Sequence, residues 1–244
     1  MGTRFFKAVE KVIQEADILL YLLDARFPNK RNRQVEGLIR EKKKQIIFVF
    51  TKYDLVADRN FPIPDLKSPF VLVSATTYYG MGKLKERLII ECRRLNKKVP
   101  KVGVLGYPNI GKSSLINALK GTASASISPE PGHTKGKQYL WTKHFMLIDS
   151  PGVIPYSEEE EPAHVLMGAL PISNEQVEPA AFEIIKKHPK SVENAFTISV
   201  TRDVQETLER IAFAKKLLLS GGRPDTLRAA QMLVKLFQKG KLGR

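Results

Sequence analysis

A doubly wound α/β domain with a mostly parallel sheet and one antiparallel edge, followed by a small helical domain, is the fold class this sequence predicts. Four apolar runs of four to six residues lack polar alternation, as buried parallel strands do. Helical stretches separate most of those runs. Beyond about residue 160 strand runs give way to helical spacing alone.

In chain order, residues 4–16 read as a helix with apolar positions Phe5, Val9, Val12 and Ile13. The four strand runs are Ile18–Leu23, ending at Asp24; Ile46–Phe50, ending at Thr51-Lys52; Phe70–Val73, ending at Ser74-Ala75; and Val102–Leu105, ending at Gly106. Helices are expected over 31–44, 82–98 and 112–120. The connection over 55–69 holds Pro62, Pro64 and Pro69 and is expected to be a poorly helical crossover. Gln138–Trp141 and Phe145–Ile148 lie close enough to form an antiparallel hairpin. The first domain is expected over 1–160 and a helical domain over 161–244, with helices at 175–188, 204–219 and 225–238. Leu208, Ile211, Ala212, Leu218 and Leu219 give one apolar face; Leu227, Ala230, Leu233, Val234 and Phe237 give another. Glu158–Glu161 and Pro162 read as a solvated hinge.

The 244 residues, 43% hydrophobic, suffice for one large domain and a small one. No apolar run is long enough to cross a bilayer, and the N-terminal residues do not read as a signal peptide, so a cytoplasmic protein without a membrane partner is expected. Cys92 is the sole cysteine, which excludes an internal disulfide or a Cys-rich metal site; it reads as a thiol on a helix. The net charge of +15, from 40 basic and 25 acidic residues, favours a polyanionic partner, nucleic acid above all.

Gly106-Tyr-Pro-Asn-Ile-Gly111-Lys112-Ser113 has the spacing of a phosphate-binding P-loop and stands where one must, after a buried strand and before a helix. Glycines let backbone N–H groups curl around phosphate oxygens, and the helix start points its positive end at the same charge. Asn109, Ile110, Gly111, Lys112, Ser113 and Ser114 form the expected contact stretch. Lys112 would reach the β- and γ-phosphates and Ser113 would ligate Mg²⁺. Asp149, ending the run Phe145–Ile148, can hold Mg²⁺ through water, and the Gly152 N–H can approach the γ-phosphate. Between the two motifs, Pro131-Gly132-His133-Thr134 offers Thr134 as a third Mg²⁺ ligand when the γ-phosphate is present. Lys112, Thr134 and Gly152 are thus candidate catalytic residues.

Thr51-Lys52-Tyr53-Asp54 follows the second strand. The Asp54 carboxylate can accept two hydrogen bonds from guanine N1 and N2, a donor pair adenine lacks. The Lys52 stem would lie over the base. Ser74-Ala75-Thr76, after the third strand, can offer N–H groups to guanine O6. Both motifs sit at strand ends on the sheet edge that binds ligands in this fold class.

Together TKYD, SAT, GYPNIGKSS, PGHT and DSPG resemble the translation-factor-class GTPases, but with the base-reading motifs before the P-loop. That order is similar to the circularly permuted GTPases of the YlqF/YawG group. Leu23-Asp24-Ala25-Arg26 matches that group's DAR element, and Gly222–Ala230 with Gly240–Arg244 resembles its C-terminal helical domain. The resemblance implies a permuted P-loop NTPase G domain with a small C-terminal α-helical domain. It implies GTP/GDP as ligand, Mg²⁺ as cofactor, GTP hydrolysis, and a role in ribosome assembly, chiefly of the large subunit. A nucleotide-gated RNA- or protein-binding module with negligible hydrolysis is the alternative. By the same resemblance, Asn109 stands where potassium-activated relatives bind K⁺.

Three departures matter. Thr51 replaces the usual Asn, and weaker nucleotide affinity is expected. Val153 occupies the place of a water-orienting Gln and cannot hydrogen-bond water, so intrinsic turnover should be slow. No His precedes His133, whereas bacterial members carry one near the N-terminus. The permutation carries the Gly152 switch directly into the helical domain. Its Arg210, Lys215, Lys216, Arg223, Arg228, Lys235, Lys239, Lys241 and Arg244 form the expected face for rRNA. A monomer is expected.

Overall fold

The computed structural model describes residues 2–56, 64–121, 138–149 and 162–242. The expectations for Thr134, Gly152, His133, Val153, Pro62, the 158–161 hinge and Arg244, and for the side chain of Phe5, fall outside the described residues. The chain divides into two compact units, Met1–Tyr156 and Ser157–Arg244.

In the first unit, α1 (Gly2–Glu15), β1 (Ile18–Asp24), α2 (Arg33–Glu41), β2 (Gln45–Thr51), β3 (Phe70–Leu72), α3 (Met81–Arg94), β4 (Lys101–Leu105), α4 (Lys112–Gly121), β5 (Gln138–Trp141) and β6 (Met146–Asp149) follow in order. The strands form one sheet ordered β3-β2-β1-β4-β6-β5. All neighbours are parallel except β5 against β6. Strand order reverses between β1 and β4, because β1 pairs with β2 on one side and β4 on the other. In open α/β sheets, ligands bind at the carboxyl ends of the strands beside such a switch point.

The apolar runs became strands because both faces are covered. Leu19, Tyr21 and Leu23 of β1 join Val9, Val12 and Ile13 of α1 and Val35 and Ile39 of α2 in one core. The alternate residues Ile18, Leu20 and Leu22 are equally buried, as period-2 strands between two helical layers require. Cys92 is buried in α3, and burial, helped by Asp17 and Glu91, pushes its thiol up to about 12. It is a packed thiol, as its place in the sequence suggested.

The second unit holds α5 (Pro162–Met167), α6 (Asn174–Lys187), α7 (Pro189–Phe196), α8 (Val204–Ala214) and α9 (Thr226–Gln238). Ala230, Leu233, Val234 and Phe237 of α9 are buried, and α5, α6 and α8 all pack on α9. Two features depart from the sequence reading. Pro189 starts α7 at its first position, where its missing N–H costs nothing, so the chain turns at His188 and continues as a new helix. And α8 stops at Ala214: Lys216 is left-handed (φ 54°), and Leu218 and Leu219, expected on the apolar face, lie outside the helix 43% and 48% exposed. They belong to a tight hairpin closed by Leu219 N–H donating to the Arg223 carbonyl at 2.8 Å.

Asp225 fixes the start of α9. Its carboxylate accepts from Arg228 N–H at 3.0 Å, while its own N–H donates to the Leu217 carbonyl at 2.9 Å. Removing a helix-capping carboxylate costs about 1 kcal/mol. Asp225→Ala should therefore lower stability by about that amount in a urea titration followed by far-ultraviolet circular dichroism.

Candidate nucleotide site

The described residues of the motifs singled out in the first unit lie at or just beyond the carboxyl ends of adjacent parallel strands. Asp24 ends β1, Thr51 ends β2 and pairs in register with Asp24, and Ser74 follows β3. Gly106 follows β4, and Asp149 ends β6 opposite Val104. The topology thus gathers residues scattered over 125 positions on one rim, and three direct links tie them together.

The first link joins the base-reading segment to the P-loop. Thr51 is 4% exposed. Its hydroxyl donates to the Ile110 carbonyl at 2.6 Å, with the Leu23 carbonyl 3.1 Å away as the alternative acceptor. The hydroxyl at the end of β2 therefore braces the P-loop backbone.

The second link is an ion cluster. The Asp24 carboxylate, 1% exposed, accepts from Arg26 Nε at 2.9 Å and Nη2 at 2.7 Å, and Lys52 Nζ lies 3.1 Å away. Burial raises the Asp24 carboxyl, but the hydrogen bonds and charge of Arg26 together with Lys52 outweigh it and hold the group below its ordinary value. Lys52 is pushed down by burial, against the pull of Asp24 and Asp54. Its backbone is left-handed (φ 56°) and leads into the single 3₁₀ turn Tyr53–Leu55 that carries half-buried Asp54.

The third link runs from β3. Tyr53 N–H donates to the Val73 carbonyl at 3.1 Å, and Tyr53 stacks on Tyr79 with ring centroids 5.2 Å apart. Ser74 is fully buried: its N–H donates to the Tyr79 carbonyl at 3.0 Å and its hydroxyl accepts from Thr77 N–H at 3.1 Å. Ser74 is thus a strut of this loop, its N–H already engaged, and the loop presents half-buried Ala75 and exposed Thr76.

In the P-loop, Gly106 sits so close to β1 that an added Cβ would stand 2.9 Å from the Leu22 carbonyl oxygen. Asn109 is exposed and left-handed (φ 53°). The helix α4 begins at Lys112, with Ser113 and Ser114 exposed in its first turn. Lys112 is 9% exposed, and its ammonium donates to the carbonyls of Tyr107 at 2.7 Å and Gly106 at 3.1 Å. Burial pulls it down to about 8, against the attraction of Asp149. The unfolded chain, with the ordinary value of 10.5, holds this proton more tightly. Folding is therefore favoured as pH rises from about 8 to 10.5, and the charged ammonium opposes folding below that window. Phosphate oxygens would reverse the shift. Nucleotide binding at pH 8 should accordingly take up protons, seen as an enthalpy that depends on buffer ionisation heat in titration calorimetry. Buffer-independent heats would contradict this.

The Ser113 hydroxyl and the Asp149 carboxylate supply hard oxygen donors, the chemistry Mg²⁺ requires. Sequence reasoning missed the Tyr53–Tyr79 stack and the Asp24–Lys52 contact. The available signal was a carboxylate at a buried strand end two residues before an arginine.

This rim has the parts and the order of a P-loop G domain whose base-reading segments precede its phosphate loop. Residues 101–215 match the family model described as 50S ribosome-binding GTPase, beginning at β4, so the segments around Thr51 and Ser74 lie ahead of the match. In this order of segments the chain is similar to the circularly permuted GTPases of the YlqF/YawG group. It is 36% identical to a GTP-binding protein of Methanocaldococcus jannaschii across 97% of its own length and 65% of the relative's. It is 33% identical to nucleolar GTP-binding protein 2 of Neurospora crassa across 98% of its own length and 41% of the relative's. The chain thus spans less than two thirds of either curated relative. In fold it is similar to YlqF from T. maritima bound to GNP, with TM-score 0.65 and 20% identity over 98% of this chain and 95% of that one. Among the described residues no helix is long and apolar enough to cross a membrane.

Proposed function

We propose that this chain binds GTP and GDP with Mg²⁺ at the rim, hydrolyses GTP slowly, and serves as a switch in assembly of the large ribosomal subunit. The observation that carries the reading is the 2.6 Å bond from Thr51 to the Ile110 carbonyl, because it locks the base-reading strand end to the phosphate loop. Guanine then falls to Asp54, with the Lys52 stem across its face and the N–H groups of Ala75 and Thr76 toward O6. The phosphates fall to the P-loop from Asn109 to Ser114, with Lys112 leaving its carbonyl partners for the β- and γ-oxygens. Ser113 and Asp149 would hold Mg²⁺, with Thr134 as third ligand and the Gly152 N–H on the γ-phosphate. The ion, when bound, neutralises charge developing between the phosphates. Asn109 is proposed as a K⁺ ligand, so turnover should be faster in potassium than in sodium at matched ionic strength. Equal rates would remove that role.

The assembly role draws on the relatives and on the second unit's charge. Lys215, Lys216, Arg223, Lys235, Lys239 and Lys241 are exposed there. Arg210 and Arg228 are engaged with Glu206 and Asp225, so they count for less than the sequence suggested. Cations facing rRNA phosphates give binding that falls steeply with salt. The test is GTP turnover with and without large ribosomal subunits, alongside co-sedimentation with those subunits over a salt series. Slow turnover that the subunits accelerate, with salt-sensitive binding, is expected. Absence of both stimulation and co-sedimentation would overturn the assembly role.

A further inference from the structure

Asp24 closes β1 at the switch point of the sheet, with β2 on one side and β4 on the other. Its carboxylate is buried, yet two residues alone bring four cationic or polar contacts to it. Arg26 donates through Nε at 2.9 Å and its own backbone N–H at 3.0 Å to Oδ1, and through Nη2 at 2.7 Å to Oδ2. That bidentate pairing fixes the plane of the carboxylate. The guanidinium is itself steadied by the Phe27 ring, 5.7 Å from its centroid. Oδ2 also meets Lys52 Nζ, at 3.1 Å.

Lys52 is therefore held at both ends. Its backbone is left-handed, a conformation that a side-chain-bearing residue keeps only where its surroundings impose it. The flanking Ala25 N–H donates to the Thr51 carbonyl at 2.9 Å, and Leu55 N–H to the Lys52 carbonyl at 2.9 Å. A lysine stem is ordinarily flexible. Pinned at its backbone and its ammonium, this one has given up much of that freedom before any ligand arrives.

We propose that Asp24, oriented by Arg26, is a positioning residue for nucleotide binding: it anchors the Lys52 ammonium so that the lysine's aliphatic stem stands ready as the surface on which the base lies. This rests on the guanine-nucleotide reading of the site. Asp24 touches no nucleotide; it acts through Lys52. A stem under the face of a base does not read the base's edge. Loss of the anchor therefore weakens every purine nucleotide that Asp54 admits by a common factor, whereas changes at Asp54 alter the ratio between them.

The test is a double-mutant cycle on GDP and IDP affinity, measured by calorimetry on the full chain. Asp24→Asn and Lys52→Met, which keeps a straight stem but no ammonium, should each weaken GDP about tenfold through lost pre-organisation. The GDP:IDP ratio should stay as in the unaltered protein. Asp24→Asn combined with Lys52→Met should bind no worse than either alone, since the second change removes nothing the first has left. Should Asp24→Asn fail to fold for want of a countercharge to Arg26, Asp24→Asn/Arg26→Gln takes its place in the cycle with the same expectations. Additive losses, a shifted GDP:IDP ratio or unchanged affinity in Asp24→Asn would each overturn the positioning role while leaving the guanine reading standing. If the unaltered protein fails to prefer GDP over ADP, both fall.

Discussion

Asp54→Asn is expected to move the site's preference from guanine to xanthine nucleotides, changing the GDP:XDP affinity ratio by on the order of 10³. On the proposed reading the carboxylate would accept two donors from the guanine edge. An amide in its place offers one acceptor and one donor, and leaves the N2 amino group facing another donor. Xanthine carries an oxygen at that position and fits the amide. The effect is large because a buried polar group left without its partner loses its hydration as well as its bond. Half-buried Asp54 is fixed by the 3₁₀ turn after β2, and that turn is bonded to β3 through Tyr53 N–H and the Val73 carbonyl, so it cannot retreat easily. Competition between GDP and XDP for the altered protein checks the outcome. A ratio unchanged from the parent would mean that Asp54 does not read the base.

Gly80→Ala is expected to be among the most damaging single-methyl additions in the first unit. Gly80 caps α3 with φ 70°, and an added Cβ would lie 2.0 Å from the Leu72 carbonyl oxygen. The oxygen belongs to the end of β3, whose backbone is hydrogen-bonded to β2 and cannot step aside as a flexible side chain does. Left-handed strain and overpacking add, and a loss of about 2–5 kcal/mol follows. The same displacement would disturb Ser74 and Tyr79, which close the loop immediately before it, so guanine affinity should fall as well. Trp141, the sole tryptophan, stands in β5 of the same sheet and reports the loss as a lowered urea midpoint in fluorescence. A midpoint within experimental error of the parent would contradict the geometry at Gly80.

The strand ends were legible because a continuous apolar run followed by Asp, Thr-Lys, Ser or Gly has few other meanings in an α/β sheet. Asp24, Thr51, Ser74, Gly106 and Asp149 all stand on the rim where the runs placed them. The start of α4 at Lys112 was equally plain, since the P-loop pattern contains its own helix signal. What the residues did not announce is how the rim is wired. Thr51 finds Ile110 across 59 positions and Tyr53 finds Tyr79 across 26, contacts that no local period encodes. Ser74 reads as a ligand donor until the fold turns its N–H onto Tyr79. In the helical unit, Leu218 and Leu219 continued an apolar spacing that a left-handed Lys216 interrupts, and Pro189, just past the helix expected over 175–188, starts α7. Periodicity reports which residues seek burial; it does not report where the backbone changes hand.

The central claim is that base-reading and phosphate-binding segments, inverted in chain order, grip one nucleotide. A crystal structure with a non-hydrolysable GTP analogue tests it most directly. Asp54 within hydrogen-bond distance of guanine N1 and N2, and Lys112 on the β- and γ-phosphates of that same molecule, is the predicted result. A nucleotide whose phosphates fill the P-loop while its base turns away from Asp54 would contradict it.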